Sequence, residues 1–140
     1  MTLILDATPL VALADSTEPR RETLLETLRA EAGSLIVPAP VTAEVDYLLG
    51  ERFGSSARRA FLSDLAARRY DAEALEPEDY RVVQDIELRY ADLDLGLADC
   101  SIVILAARHG TRRLFSFDER HFRTVEPLQG GTFELLPADA

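Results

Sequence analysis

The segment Ala91–Phe122, ADLDLGLADCSIVILAARHGTRRLFSFDERHF, joins an apolar helix to a short strand and sets an acid at one end of each. Ser101–Arg108 (SIVILAAR) is apolar almost all round, as a helix enclosed by other elements must be. Gly110 supplies the residue that ends it, and Arg108 and His109 suit the negative end of the helix dipole. Asp99 falls in the first turn, where unpaired N–H groups favour an anion. Leu114–Phe117 (LFSF) reads as a short buried strand with Asp118 at its C-terminal end. Open α/β sheets bind ligands just beyond the carboxyl ends of their strands. Two carboxylates brought to such an edge point to a cation site.

The flanking sequence supplies more strands and helices in alternation. Thr2–Leu5 is a short apolar run ending in Asp6, the pattern of a buried parallel strand with a functional residue at its tip. Thr8 is predicted to cap a helix with Pro9 at its first position, continuing to Ala14. A second helix is expected over Pro19–Ala32, then a buried strand at Leu35–Val37 closed by Pro38 and Pro40. Thr42 is predicted to cap a helix through Phe53, with Val41, Val45, Leu48 and Leu49 at helical spacing. Glu44 lies at the edge of that apolar stripe, whereas Asp46 falls toward solvent. Taken alone, Glu44 reads as an acid in a first helical turn. Ser56–Arg69 and a segment beginning at Pro77 read as further helices, Tyr70–Leu75 as an edge strand, and Thr132–Leu136 as the last strand. Strands alternating with helices, without an internal repeat or linker, make these 140 residues one α/β domain with a parallel sheet covered on both faces.

With 47% apolar residues the chain can bury a core, and no run approaches the roughly 18 residues of a membrane span. The first residues carry no basic n-region, so no signal peptide is expected. The single cysteine, Cys100, excludes an internal disulfide and fits a reducing cytoplasm; within a buried helix it reads as a small core residue. The chain has 15 arginines and no lysine, which excludes a P-loop and lysine-dependent aspartyl-phosphate chemistry. A net charge of −10 is unusual for a nucleic-acid binder, because phosphate contacts are normally basic. Acids around a cation nevertheless count toward that charge although the ion neutralises them. The arginine pairs Arg20–Arg21, Arg58–Arg59, Arg68–Arg69 and Arg112–Arg113 read mostly as solvated helix faces.

Asp6 ends a strand, Glu44 edges a helix that follows a strand, Asp99 opens a helix, and Asp118 ends a strand. Each alone reads as a cap or a surface charge; their co-occurrence at junctions that can meet on one sheet edge carries the weight. Like charges that close would raise one another's pKa and oppose folding. A hard divalent cation removes the repulsion, and oxygen-only ligation selects Mg²⁺ or Mn²⁺ over zinc. Such an ion holds a phosphate and lowers the pKa of a water, enough for phosphodiester hydrolysis. His109 and His121 have no partner at metal-ligand spacing; His109 reads as a helix end and His121 as a surface residue.

Four stretches carry a resemblance: Leu3–Asp6 (LILD), Thr42–Leu48 (TAEVDYL), Gly96–Asp99 (GLAD) and Ser116–Phe122 (SFDERHF). With them the chain resembles the PIN-domain ribonucleases, most closely the VapC-like toxins of bacterial toxin–antitoxin systems, over nearly its whole length. The last two stretches, in this order and spacing, are the specific part. The resemblance implies a PIN-like α/β domain over residues 1–140, with a five-stranded parallel sheet flanked by helices on both faces. It implies that Asp6, Glu44, Asp99 and Asp118 bind Mg²⁺ or Mn²⁺ and cleave RNA, and that the hydroxyls of Thr8 and Ser116 lie near the metal. A homodimer and a cognate antitoxin whose tail blocks the acidic groove are implied as well. Ala7 stands where the family commonly has Thr or Ser, which removes one supporting hydrogen bond, and Cys100 stands where Ala is usual. Asp94, near the site in sequence, is kept as a supporting candidate.

The expectation is therefore a cytoplasmic, metal-dependent endoribonuclease toxin. Asp6 and Asp99 are read as direct ligands, with Asp118 and Glu44 binding metal or orienting water. One rival is a catalytically silent PIN-fold RNA-binding or scaffold module, against which four intact carboxylates argue. The other is a metal phosphatase acting on a small molecule.

Overall fold

A computed structural model describes all 140 residues. At its centre is β1 (Leu3–Leu5), whose side chains alternate between the two sides of the sheet. All three are fully buried, so both faces are covered, and that is why the strand is apolar at every position. β2 (Leu35–Pro38) and β4 (Arg113–Phe115) flank it, with Ile4 level with Ile36 on one side and Leu114 on the other. β3 (Asp71–Glu73) and β5 (Glu134–Leu136) form the two edges of a five-stranded sheet ordered β3-β2-β1-β4-β5, every pairing parallel. The carboxyl ends of the strands therefore share one edge. The order steps outward from β1 to β2 and β3, then crosses back to β4 and β5. That places the topological switch point between β1 and β4, where sheets of this kind bind ligands.

The helices are α1 (Ala7–Ala12), α2 (Arg21–Ala30), α3 (Ala39–Phe53), α4 (Ser55–Ala66), α5 (Asp79–Arg89), α6 (Leu97–Arg108) and α7 (Glu119–Phe122). In α6 every residue from Cys100 to Ala106 is buried, as its unbroken apolar sequence demands. Gly110 ends it at φ +62°, a backbone conformation that glycine adopts without steric cost. Together the strands and helices enclose one cluster of 28 buried apolar residues.

Three local expectations need correction, and each concerns the site. α1 is capped by Asp6 rather than Thr8: the Asp6 carboxylate already sits at the first free N–H, and Thr8 is left exposed. α3 starts at Ala39 rather than after Thr42, because Pro40 falls in the first turn, where no N–H partner is needed. The Thr42 hydroxyl donates to the Ala39 carbonyl at 2.6 Å from inside the helix. Glu44 is thus beyond the first turn, and the helix dipole no longer explains it. β4 ends at Phe115, two residues early, and Asp118 caps α7 by accepting from the His121 N–H at 3.0 Å.

Candidate metal centre

Asp6 leaves β1 at the switch point, and its carboxyl is almost wholly enclosed, the residue being 6% exposed. Its Oδ1 accepts from the Ala7 N–H at 2.8 Å and its Oδ2 from the Ser116 hydroxyl at 2.6 Å. Both partners are neutral. Glu31, whose carboxylate is also enclosed, pairs instead with Arg113 and the N-terminal amine. Burying a carboxylate without a counter-charge favours its neutral form. Burial accordingly pushes the Asp6 pKa up to about 6, against the two hydrogen bonds, and the charges of Asp99 and Glu44 push the same way.

Ser116 ties the two central strands together at this edge. It is 2% exposed, donates to Asp6, and accepts from the Asp118 N–H at 3.0 Å. The chain turns at Ser116 because its hydroxyl faces Asp6 across the β1–β4 crevice, and that turn delivers Asp118. Asp99, in the first turn of α6, is half-buried; burial raises its pKa, the nearby His121 lowers it, and Asp118 raises it again. Glu44 is solvent-exposed as a residue, yet its pKa is raised by the protein beside it and then by Asp99. Asp99 is the common neighbour: its charge acts on Asp6 and Glu44, and Asp118 acts on it.

His121 is the residue the sequence reading missed. It is not a surface residue: its side chain is 15% exposed, with Nδ1 at 2.7 Å from Asp118 Oδ2 and 3.7 Å from Asp99 Oδ2. Its Nε2 lies 2.8 Å from the Leu93 carbonyl oxygen. One donor atom each from Asp99, Asp118 and His121 lies within 4.8 Å of the other two. The available signal was the spacing Asp118-x-x-His121, which puts the two side chains together on one helical turn. Burial opposes the charged ring, but the Asp118 hydrogen bond, the Leu93 carbonyl and the two acids outweigh it, so its pKa is raised.

The supporting candidates divide. Ser116 is in place. Thr8 is exposed and makes no side-chain hydrogen bond to the cluster. Asp94 is exposed at the end of the 3-10 turn Ala91–Leu93, in a left-handed conformation, and is not bonded to the four acids. Asp46 lies outside, 3.2 Å from Arg58 Nε. Cys100 is buried, and burial pushes its thiol up to about 11, which keeps it inert.

Oxygen donors predominate at this centre, unpaired by arginine, so a hard divalent cation fits it. Known proteins share the sequence and the fold. A sequence model of the family described as PIN domain matches residues 3–127. Ribonuclease VapC26 of Mycobacterium tuberculosis is 33% identical over 135 residues, covering 96% of this chain and 100% of that protein. The crystal structure of Mycobacterium tuberculosis VapC20, described as a sarcin-ricin loop cleaving toxin, superimposes with a TM-score of 0.75. That match covers 83% of this chain and 89% of the other at 16% identity, and speaks for the fold alone.

Proposed function

This chain belongs to the PIN-domain family, and on that premise we propose that it is a divalent-metal-dependent endoribonuclease, a VapC-like toxin hydrolysing RNA phosphodiester bonds. The observation that carries the reading is Asp6, a buried acid with neutral hydrogen-bond partners and the charges of Asp99 and Glu44 acting on it. Its similarity to a ribonuclease along nearly the whole chain supports the same reaction class.

Asp6 and Asp99 would hold the cation directly, and Asp118 and Glu44 would complete the cluster, binding metal or orienting water. When bound, Mg²⁺ or Mn²⁺ supplies positive charge for the scissile phosphate and a nucleophilic water at neutral pH. Ser116 keeps Asp6 turned toward the crevice by donating to Oδ2 and leaves that carboxylate acceptor-only. The Asp118 carboxylate is held by the His121 N–H and ring, so its direction is set before substrate arrives. Glu44 is the most exposed of the four, which supports a role at the rim, orienting water or accepting a proton.

The partners that fit are an RNA substrate, a second copy of the chain, and a cognate antitoxin with a basic tail for the acidic groove. A chain of net charge −10 steers such a tail toward it. The cytoplasm is the compartment in which these partners meet. The test is incubation with total RNA and Mg²⁺ or Mn²⁺. Discrete fragments are expected, suppressed by EDTA and by Asp6→Asn. Cleavage that persists in EDTA, or that Asp6→Asn leaves unchanged, would overturn the reading.

A further inference from the structure

Four acids account for the charge of the centre but not for the ring set among them, and we infer that His121 Nδ1 is a direct ligand of the divalent cation. The inference rests on the metal-dependent reading above and adds a nitrogen to its donor set. A backbone carbonyl only accepts, so the 2.8 Å contact to Leu93 makes Nε2 the nitrogen that carries the proton. Nδ1 faces Asp118 Oδ2 and Asp99 Oδ2; without metal it donates a second proton to Asp118, and a cation that displaces this proton to solvent meets the Nδ1 lone pair beside two carboxylates. A ligating imidazole is held in this way, with its other N–H pinned by a carbonyl, because that bond fixes the ring plane and raises the basicity of the free nitrogen.

The distances suit the role. With metal–ligand bonds of about 2.1 Å, neighbouring donors of an octahedron stand about 3 Å apart. Nδ1 lies 2.7 Å and 3.7 Å from its two carboxylate neighbours, on either side of that separation. The pinning is also long-range: Leu93 is 28 residues from His121 and immediately precedes the loop that opens α6, so tertiary structure docks the ring, as does Asp118 at the start of its own helix. One imidazole in an otherwise oxygen site moves preference from Mg²⁺ toward Mn²⁺.

The chain has 2 histidines, so Mn²⁺ itself serves as the probe. With one equivalent of Mn²⁺ or less bound to the full chain, electron spin-echo envelope modulation is expected to show directly coupled ¹⁴N. The coupling should vanish in His121→Gln, persist in His109→Gln, and be replaced by the ¹⁵N pattern after ¹⁵N-histidine labelling. By titration, His121→Gln should bind Mn²⁺ about tenfold more weakly. Mn²⁺ bound without ¹⁴N coupling in the unmutated protein would overturn the inference and leave the metal nuclease standing. Coupling that survives His121→Gln would overturn it as well. No binding of Mn²⁺ at all would remove the metal-dependent reading together with this one.

Discussion

The two ends of α6 each bring a histidine against carboxylates, and they differ in how the charge is balanced. At the C-terminal end, Arg108 pairs with Asp79 and lies 3.4 Å from Glu73, and His109 Nε2 lies 2.9 Å from Glu73. Cations suit that end of a helix, and each acid there has a basic partner. The Arg108 hydrogen bond holds the Asp79 carboxyl below the usual range. At the N-terminal end, Asp99 and Asp118 share a single ring and Asp6 and Glu44 have no basic partner; three of the four have raised pKa values, burial being the first cause each time. Arginine is not scarce: nine of them pair with acids elsewhere, and none reaches these four. A histidine–carboxylate contact therefore says little by itself. The uncompensated charge around it is what distinguishes the end proposed as the metal site.

The largest effect expected from this contrast is on activity. Asp99→Asn should lower RNA cleavage at least ~100-fold, about 3 kcal/mol in the transition state, whereas Glu73→Gln at the other end should stay within about twofold. Equal losses in the two variants would erase the distinction between the ends.

The pH dependence of stability comes next. The folded-state pKa of Asp6, about 6, lies above its ordinary 3.8, so the protonated form favours folding. Its contribution, on the order of 3 kcal/mol, is full below about pH 4 and is lost as pH rises through 6. Asp79 runs the other way: held low by Arg108, it contributes above its ordinary pKa and loses that contribution as pH falls through its folded value. Urea unfolding of the metal-free protein from pH 4 to 7.5 should show a descending limb that Asp6→Asn flattens and Asp79→Asn leaves in place. A limb that persists in Asp6→Asn would mean that the buried carboxyl is not the source of the imbalance.

Metal should remove part of that imbalance. At ten times its dissociation constant, one bound ion contributes about 1.4 kcal/mol, roughly a 5 °C rise in melting temperature for a chain of this size. Asp99→Asn should be the more stable protein without metal at pH 7.5, since burial and Asp118 disfavour the charge it removes, and should gain little on adding Mg²⁺. If both proteins gain equally, the ion binds somewhere else. The smallest effect is expected at Asp46, partly exposed and paired with Arg58, where Asn should cost no more than about 0.5 kcal/mol and leave cleavage unchanged.

The sequence by itself determined the elements whose cause is local. The apolar run of β1, the all-round apolar α6 and the glycine that ends it follow from near neighbours, and so does the presence of acids at the junctions between them. Parallel order followed from the alternation of strands and helices. Tertiary structure decided which of the junction acids are compensated and by what. Ser116 reaches Asp6 across 110 residues, Arg113 reaches Glu31 across 82, and the Leu93 carbonyl that docks His121 is 28 residues away. Thr8 lost its predicted cap, and Glu44 its place in a first turn, because backbone N–H groups and a proline one turn away settled the helix starts. Electrostatic balance depends on which charges meet once the chain has packed. Local pattern carries no record of those distances, so His121 and the unpaired state of Asp6 became visible only in the folded molecule.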